Sequence, residues 1–285
     1  MNPRHVLTIA GLTLREMARR RVLWVLAGLV VASVVLVGWG TDRLVSFARE
    51  DGSSEIEIRI GVSQVLIFIA FMFSYVLAMS AAFLAAPAIA SDVETGTVHA
   101  MLARPLRRAE LIAGRWLGLS IVVAAYAALS GLLAIGVVAL VSGHQPPEPF
   151  TAVGYLAFES IAILTVALTL GTRLPGMAAG AITVVLFGVG WFLGVLGNIA
   201  LVFNATALQR VAEGARFVLP TDGLWRGVIY GLEPPLVVML SAGRASQANP
   251  FYAATPPPAG FVAWSVVWVL LVLGLGIVLF RRREL

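Results

Sequence analysis

Long apolar stretches separated by short charged or glycine- and proline-rich segments dominate the chain. A helix crossing the hydrocarbon needs about 20 mostly apolar residues. Six stretches meet that requirement: residues 22–40, 62–90, 116–141, 152–172, 177–203 and 260–280. Trp24 and Trp39 sit where interfacial belt residues sit, and Pro87 predicts a kink near the end of the second span. Only the turn Arg173-Leu174-Pro175-Gly176 divides the fourth span from the fifth, a helix-breaking sequence. Ahead of the first span, residues 4–20 read at helical period. Leu7, Ala10, Leu14 and Met17 lie on one face, with His5, Thr8, Arg15 and Arg19 mostly on another. That pattern predicts an interfacial helix along the membrane surface. No cleavage-type site precedes the first span, so this segment does not read as a signal peptide.

Between the spans lie predicted loops. Thr41 to Gly61 is acidic and polar, and His144 to Phe150 is a proline-rich link. The 204–259 segment holds two predicted short helices, Ala205 to Phe217 and Asp222 to Leu232, with Thr221 or Asp222 as N-cap of the second. The apolar run Leu236 to Leu240 is too short to span. The fold class is therefore all-α, a single polytopic transmembrane domain of six helices with an N-terminal interfacial helix.

Composition sharpens this. Over 285 residues the chain is 59% hydrophobic and 12% charged, about half the charge of a soluble globule, so much of its surface faces lipid. All 20 basic residues are arginine. Without a lysine there is no P-loop of the Walker type. Cysteine is absent, which removes disulfides and thiol chemistry. A pI near 10.4 would suit nucleic acid. The arginines, however, bunch beside the spans, which is a topology signal rather than a nucleic-acid patch. Thirteen of the 20 fall before the first span, between the second and third, between the fourth and fifth, and after the sixth. The alternate loops hold seven, offset by nine acids. Positive charge is retained inside, which predicts both termini in the cytoplasm.

The informative loop is residues 91–115. Gly96 ends or bends the chain after the second span, Thr97 caps a short helix, and Pro105 stops it. That helix presents Val98, Met101 and Leu102 among the charges of Glu94, Arg104, Arg107, Arg108 and Glu110, an arrangement suited to docking in a partner's groove. The bland alternative is a basic loop held against anionic headgroups. The acidic-x-Gly-Thr and Leu-x-x-Pro-x-x-Arg-x-Glu pattern resembles the permease subunits of ABC exporters of the type-two class, including the permease of nitrous oxide reductase maturation. The resemblance extends to the Pro220-Thr221-Asp222 element and the terminal Phe280-Arg281-Arg282-Arg283. The chain departs from the usual pattern at Arg115, where many relatives carry lysine, and in a shortened Glu94-Thr95-Gly96-Thr97.

The resemblance implies two permease copies, or one copy and a paralogous permease, each on a separate ATPase subunit in a bacterial cytoplasmic membrane. It places ATP and magnesium in the ATPase, with no cofactor in this chain, and assigns ATPase contact to the loop helix and the interfacial helix. Three other functions compete with this one. A membrane hydrolase needs a nucleophile and base, or paired aspartates, at helical depth, and Asp42, Asp51, Asp92 and Asp222 all fall outside the spans. An ion-driven carrier needs a mid-membrane ionisable site. Glu159 is the one candidate for such a site or for a translocation path, deep if its span begins near Ala152 and interfacial if it begins near Phe158. A membrane anchor that signals through an ATPase is indistinguishable from the exporter at this level.

Overall fold

A computed structural model describes residues 2–19, 21–94, 107–240 and 249–283. Among them are helices and no strand. The helices are α1 (Pro3–Arg19), α2 (Arg21–Glu50), α3 (Glu55–Ala85), α4 (Pro87–Glu94), α5 (Arg108–Ser142), α6 (Pro149–Gly171), α7 (Gly176–Val202), α8 (Thr206–Val218), α9 (Thr221–Leu232), α10 (Pro235–Leu240) and α11 (Ala259–Arg281). Six stretches are long and apolar enough to cross a membrane: Ala27–Glu50, Glu55–Ala90, Arg108–Ser142, Pro149–Gly171, Gly176–Val202 and Ala259–Arg281.

Of these, α6 is the most enclosed. It packs on α3, α5, α7, α9 and α11 and so forms the axis of the bundle. Small residues let the backbones close in. At one end, Ala78, Ala81, Ala82 and Ala85 of α3 pack with Ile163, Leu164 and Leu168 of α6, Ile112 and Leu119 of α5, and Phe280. At the other end, Leu66, Ile67 and Phe71 pack with Leu156, Trp225, Val228 and Ile229. The outward faces of α2, α7 and α11 stay apolar and exposed, as at Leu36, Phe192 and Leu271.

Several boundaries differ from the sequence expectation, each for a local reason. The predicted loop over 41–61 shrinks to residues 51–54. Gly52 turns the chain at a φ of +78°, and Ser54 with Glu57 forms a capping box that starts α3. The Glu57 carboxylate accepts from Ser54 N at 2.7 Å, and Ser54 Oγ accepts from Glu57 N at 3.3 Å. Pro87 divides the second span into α3 and α4, because a proline cannot donate back along the helix. The helix from Thr221 has no side-chain N-cap. Asp222, assigned above as a cap, spends its carboxylate on ion pairs instead.

Between α7 and α11 in the chain, α8 lies on the surface against α7 with only Ala212 buried, and α9 folds back into the bundle. Twelve residues make α9 about 18 Å long, too short to cross. It is nevertheless buried along almost its whole length, lying against α6, α7 and α3.

Candidate functional site

The candidate docking residues come from the end of the bundle where α1, α4, the first turns of α5, the α6–α7 turn and the C-terminus meet. Here α1 lies across α5. Gly114 and Gly118, four residues apart on α5, receive Ile9 and Thr13 of α1. A Cβ on Gly114 would fall 2.6 Å from that of Ile9, and one on Gly118 would fall 2.8 Å from that of Thr13. The side of α1 buried in this groove is Ile9, Ala10, Thr13 and Met17. Of the apolar positions read from the sequence, Ala10 and Met17 lie in this groove, Leu14 is half-buried and Leu7 is exposed. Arg15 and Arg19 are exposed.

Polar links fasten α1 in place. The Glu110 carboxylate, 2% exposed, accepts from Asn2 N at 2.7 Å and Arg107 N at 3.2 Å, and lies 3.0 Å from His5 Nδ1. Arg115 Nη1 donates to Glu16 Oε2 at 2.5 Å. A second set ties down the C-terminus. Arg108 Nη1 donates to the carbonyls of Phe280, Arg281 and Arg283 at 3.2, 3.3 and 2.7 Å, and its guanidinium lies 5.9 Å from the Phe280 ring centre. Arg283 Nη1 in turn donates to Thr172 O at 2.7 Å, reaching the α6–α7 turn. Next to that turn, Gly171 approaches the carbonyl of Ala86 and Gly176 approaches Pro87, which seats α4 in it.

The predicted docking residues therefore divide. Gly96, Thr97, Val98, Met101, Leu102, Arg104 and Pro105 lie outside the described residues. Glu94 ends α4, and its side chain also lies outside them. Glu110, assigned above to the docking surface, is turned inward beneath α1, because three N–H donors of α1 and its own helix start converge on it. Arg108 is half-buried and directed to the C-terminal carbonyls. Arg107 is exposed. His5, Asn2 and Arg283 complete this junction; Asn2 is new to the reading, and the contacts of His5 and Arg283 were not legible in the sequence. Their partners stand more than 100 residues away, and no local pattern announces such contacts.

Glu159 is the second candidate. Because α6 starts at Pro149, Glu159 is the eleventh of its 23 residues, at mid-helix. It is 2% exposed, and its carboxylate accepts from Ser74 Oγ of α3 at 2.9 Å. Tyr75, the neighbour of Ser74, belongs to an aromatic cluster with Phe71, Phe187 and Trp191.

The opposite end carries polar groups of its own. Asp222, 5% exposed, pairs with Arg216 Nε at 2.7 Å and lies 3.5 Å from Arg226 Nε, and Arg226 also donates to Asn198. Only a glycine at 194 leaves room for the Asp222 carboxylate. Burial, opposed in part by the Asp222 charge, pulls the Arg226 guanidinium below its usual range. Glu233 accepts from Ala253 N at 3.0 Å, while its Oε1 is buried without a partner. Burial raises this carboxyl to about 7 against that bond. His144 lies 2.9 Å from Ser63 Oγ, held below the ordinary imidazole range by burial first and the Arg59 charge second.

Residues 7–285 match the sequence profile of the family described as ABC-2 family transporter protein. No curated protein matches the chain.

Proposed function

The chain belongs to the ABC-2 transporter family and is a permease subunit of an ABC transporter; from that premise we propose that it couples to a separate ATPase through the α1–α5 junction and moves its cargo outward. The observation that carries this reading is the attachment of α1 across the first turns of α5, directly after residues 95–106 in the chain, by Glu110 and Arg115. A force applied to the loop or to α1 is transmitted to both, since neither slides without breaking charge-assisted bonds to a buried carboxylate. Arg108 and Arg283 carry the same constraint to α11 and the α6–α7 turn. One rigid junction thus reaches four spans.

On this reading the α1 end is cytoplasmic, as the arginine distribution requires, and both termini with it. ATP and magnesium belong to the partner ATPase, and a second copy or a paralogous permease completes the transporter. The likeness to the permease of nitrous oxide reductase maturation is a finer proposal, resting on the loop pattern and the 220–222 element. The test is copurification with the ATPase. Leu102→Asp and Arg107→Glu are each expected to abolish it and to uncouple ATP turnover, with the permease still folded by thermal unfolding. Full binding and turnover in both variants would refute the docking assignment.

Mid-helix Glu159 supports a place on or beside the path, because an ionisable group at that depth is costly without a use. Glu159→Gln keeps an acceptor for Ser74 and removes the charge. It is expected to change cargo transport in inverted vesicles while leaving assembly with the ATPase intact.

A further inference from the structure

At the end of the bundle away from α1, a cavity of about 510 Å³ opens between α7, α8, α9 and the segment leading into α11. Its volume falls within the range of small-molecule sites, roughly 300–1,000 Å³. Its lining is divided by chemistry. Arg216, Arg226 and Asn198 supply a polar floor, and Phe217, Phe261 and Pro257 supply apolar walls. Around the mouth, Glu213, Ala254 and Thr255 are exposed, which leaves an entrance.

The floor is cationic. Two guanidiniums share the single carboxylate of Asp222, and Asn198 adds only a neutral acceptor to Arg226. Each guanidinium has five N–H donors, and these bonds occupy few of them. The Nε–H of Arg226 has only the long 3.5 Å approach to Asp222. Asp222 lies behind the lining, and the acid within it, Glu213, lies exposed at the rim, where water and salt screen it. Inside the cavity the balance is therefore one positive charge in excess, in surroundings of low dielectric that strengthen any contact with an anion. Burial of Arg226 against its own charge acts the same way, since a second anion would relieve it.

We propose that this cavity is a binding site for an amphiphile with a phosphate or carboxylate head, the head held between Arg216 and Arg226 and the apolar body laid along Phe217 and Phe261. The ring of Phe217 lies 6.3 Å, centre to centre, from that of Trp264, whose Nε1 donates to Phe217 O at 3.1 Å, so the wall is braced from α11. The site is separate from the α1 end and does not depend on ATPase coupling.

The experiment uses the full chain in a neutral maltoside detergent, with native mass spectrometry counting adducts. Dodecyl phosphate is expected to bind with one copy per chain, and dodecyltrimethylammonium is expected not to. Arg216→Gln removes one guanidinium and is expected to weaken dodecyl phosphate about tenfold, the loss of a charge-assisted bond. Ala254→Trp, at an exposed position on the mouth, fills the entrance without touching the buried ion pairs and is expected to abolish binding. Two further arms identify the source of the anion. Competition by inorganic phosphate supports the site as one for a free anion. Competition by phosphatidylglycerol and not phosphatidylcholine supports it as one for a lipid headgroup. Equal binding of the two dodecyl probes, or binding unchanged in both variants, would overturn the proposal.

Discussion

Glu110 shows how a single carboxylate can set the position of a whole helix. It sits in the first turn of α5, where a negative charge is favoured by the helix dipole, and it takes two backbone donors besides the His5 ring. Replacing it by alanine leaves the amide of Asn2 without its acceptor and frees the start of α1. Hydrogen exchange of residues 3–19 is expected to quicken roughly tenfold in Glu110→Ala, the scale of a local opening that loses charge-assisted bonds. Exchange unchanged from the parent would show that packing alone holds α1.

Glu233 gives a pH prediction with a definite sign. Its carboxyl is raised by burial to about 7, so the folded state binds a proton that the unfolded state has already released. The stability it contributes is complete below the unfolded value near 4.5 and is lost as pH rises toward and through 7. His144 acts in the opposite sense. Its lowered value means that its contribution is complete above the unfolded 6.5 and is lost as pH falls. Glu233→Gln is expected to unfold at the same temperature as the parent near pH 5 and at a higher temperature near pH 8. A gap between the two melting temperatures that stays constant across that range would contradict the assignment.

At the scale of elements, the α1–α5 crossing rests on two glycines. Gly118→Leu would drive a side chain into Thr13 and the Ala10 carbonyl. Overpacking of this kind costs about 1–3 kcal/mol. Gly136→Ala, on the same helix with nothing near its Cβ position, is expected to be neutral or to gain about 0.5–1 kcal/mol from helix propensity. Equal effects of the two substitutions on thermal unfolding would sink the packing argument.

Hydropathy made the six spans readable, because lipid leaves a chain few alternatives to long apolar helices. It did not show that α2 continues to Glu50. The charges of Asp42, Arg43 and Glu50 mask a buried stripe of Val37, Thr41 and Val45, spaced four apart, which is the signal that would have revealed it. On α1 the apolar positions Leu7, Ala10, Leu14 and Met17 predict a helix along the membrane surface but not its seat on the protein, which Gly114 and Gly118 fix by accepting the branched Ile9 and Thr13. The sequence also singled out Glu110 and Arg108 as docking candidates, but not which way they point. Their direction is fixed by Asn2, His5 and the C-terminal carbonyls, which come close only in the fold.

For the whole molecule, the bundle has two chemically distinct ends joined by α6, with Glu159 midway between them. One end gathers α1, the end of α4, the start of α5 and a network of ionic and hydrogen-bonded links. The other folds α8 and α9 back against the spans and encloses the cationic cavity. The proposed coupling needs the first end in the cytoplasm and the second outside. The chain contains no cysteine, so single engineered thiols report sidedness without background. The most direct measurement is labelling of Arg107→Cys and Glu213→Cys, both at exposed positions, with a membrane-impermeant maleimide in intact spheroplasts and in inverted vesicles. The account predicts that position 213 labels in spheroplasts and position 107 only in inverted vesicles. Labelling of position 107 in intact spheroplasts would contradict it.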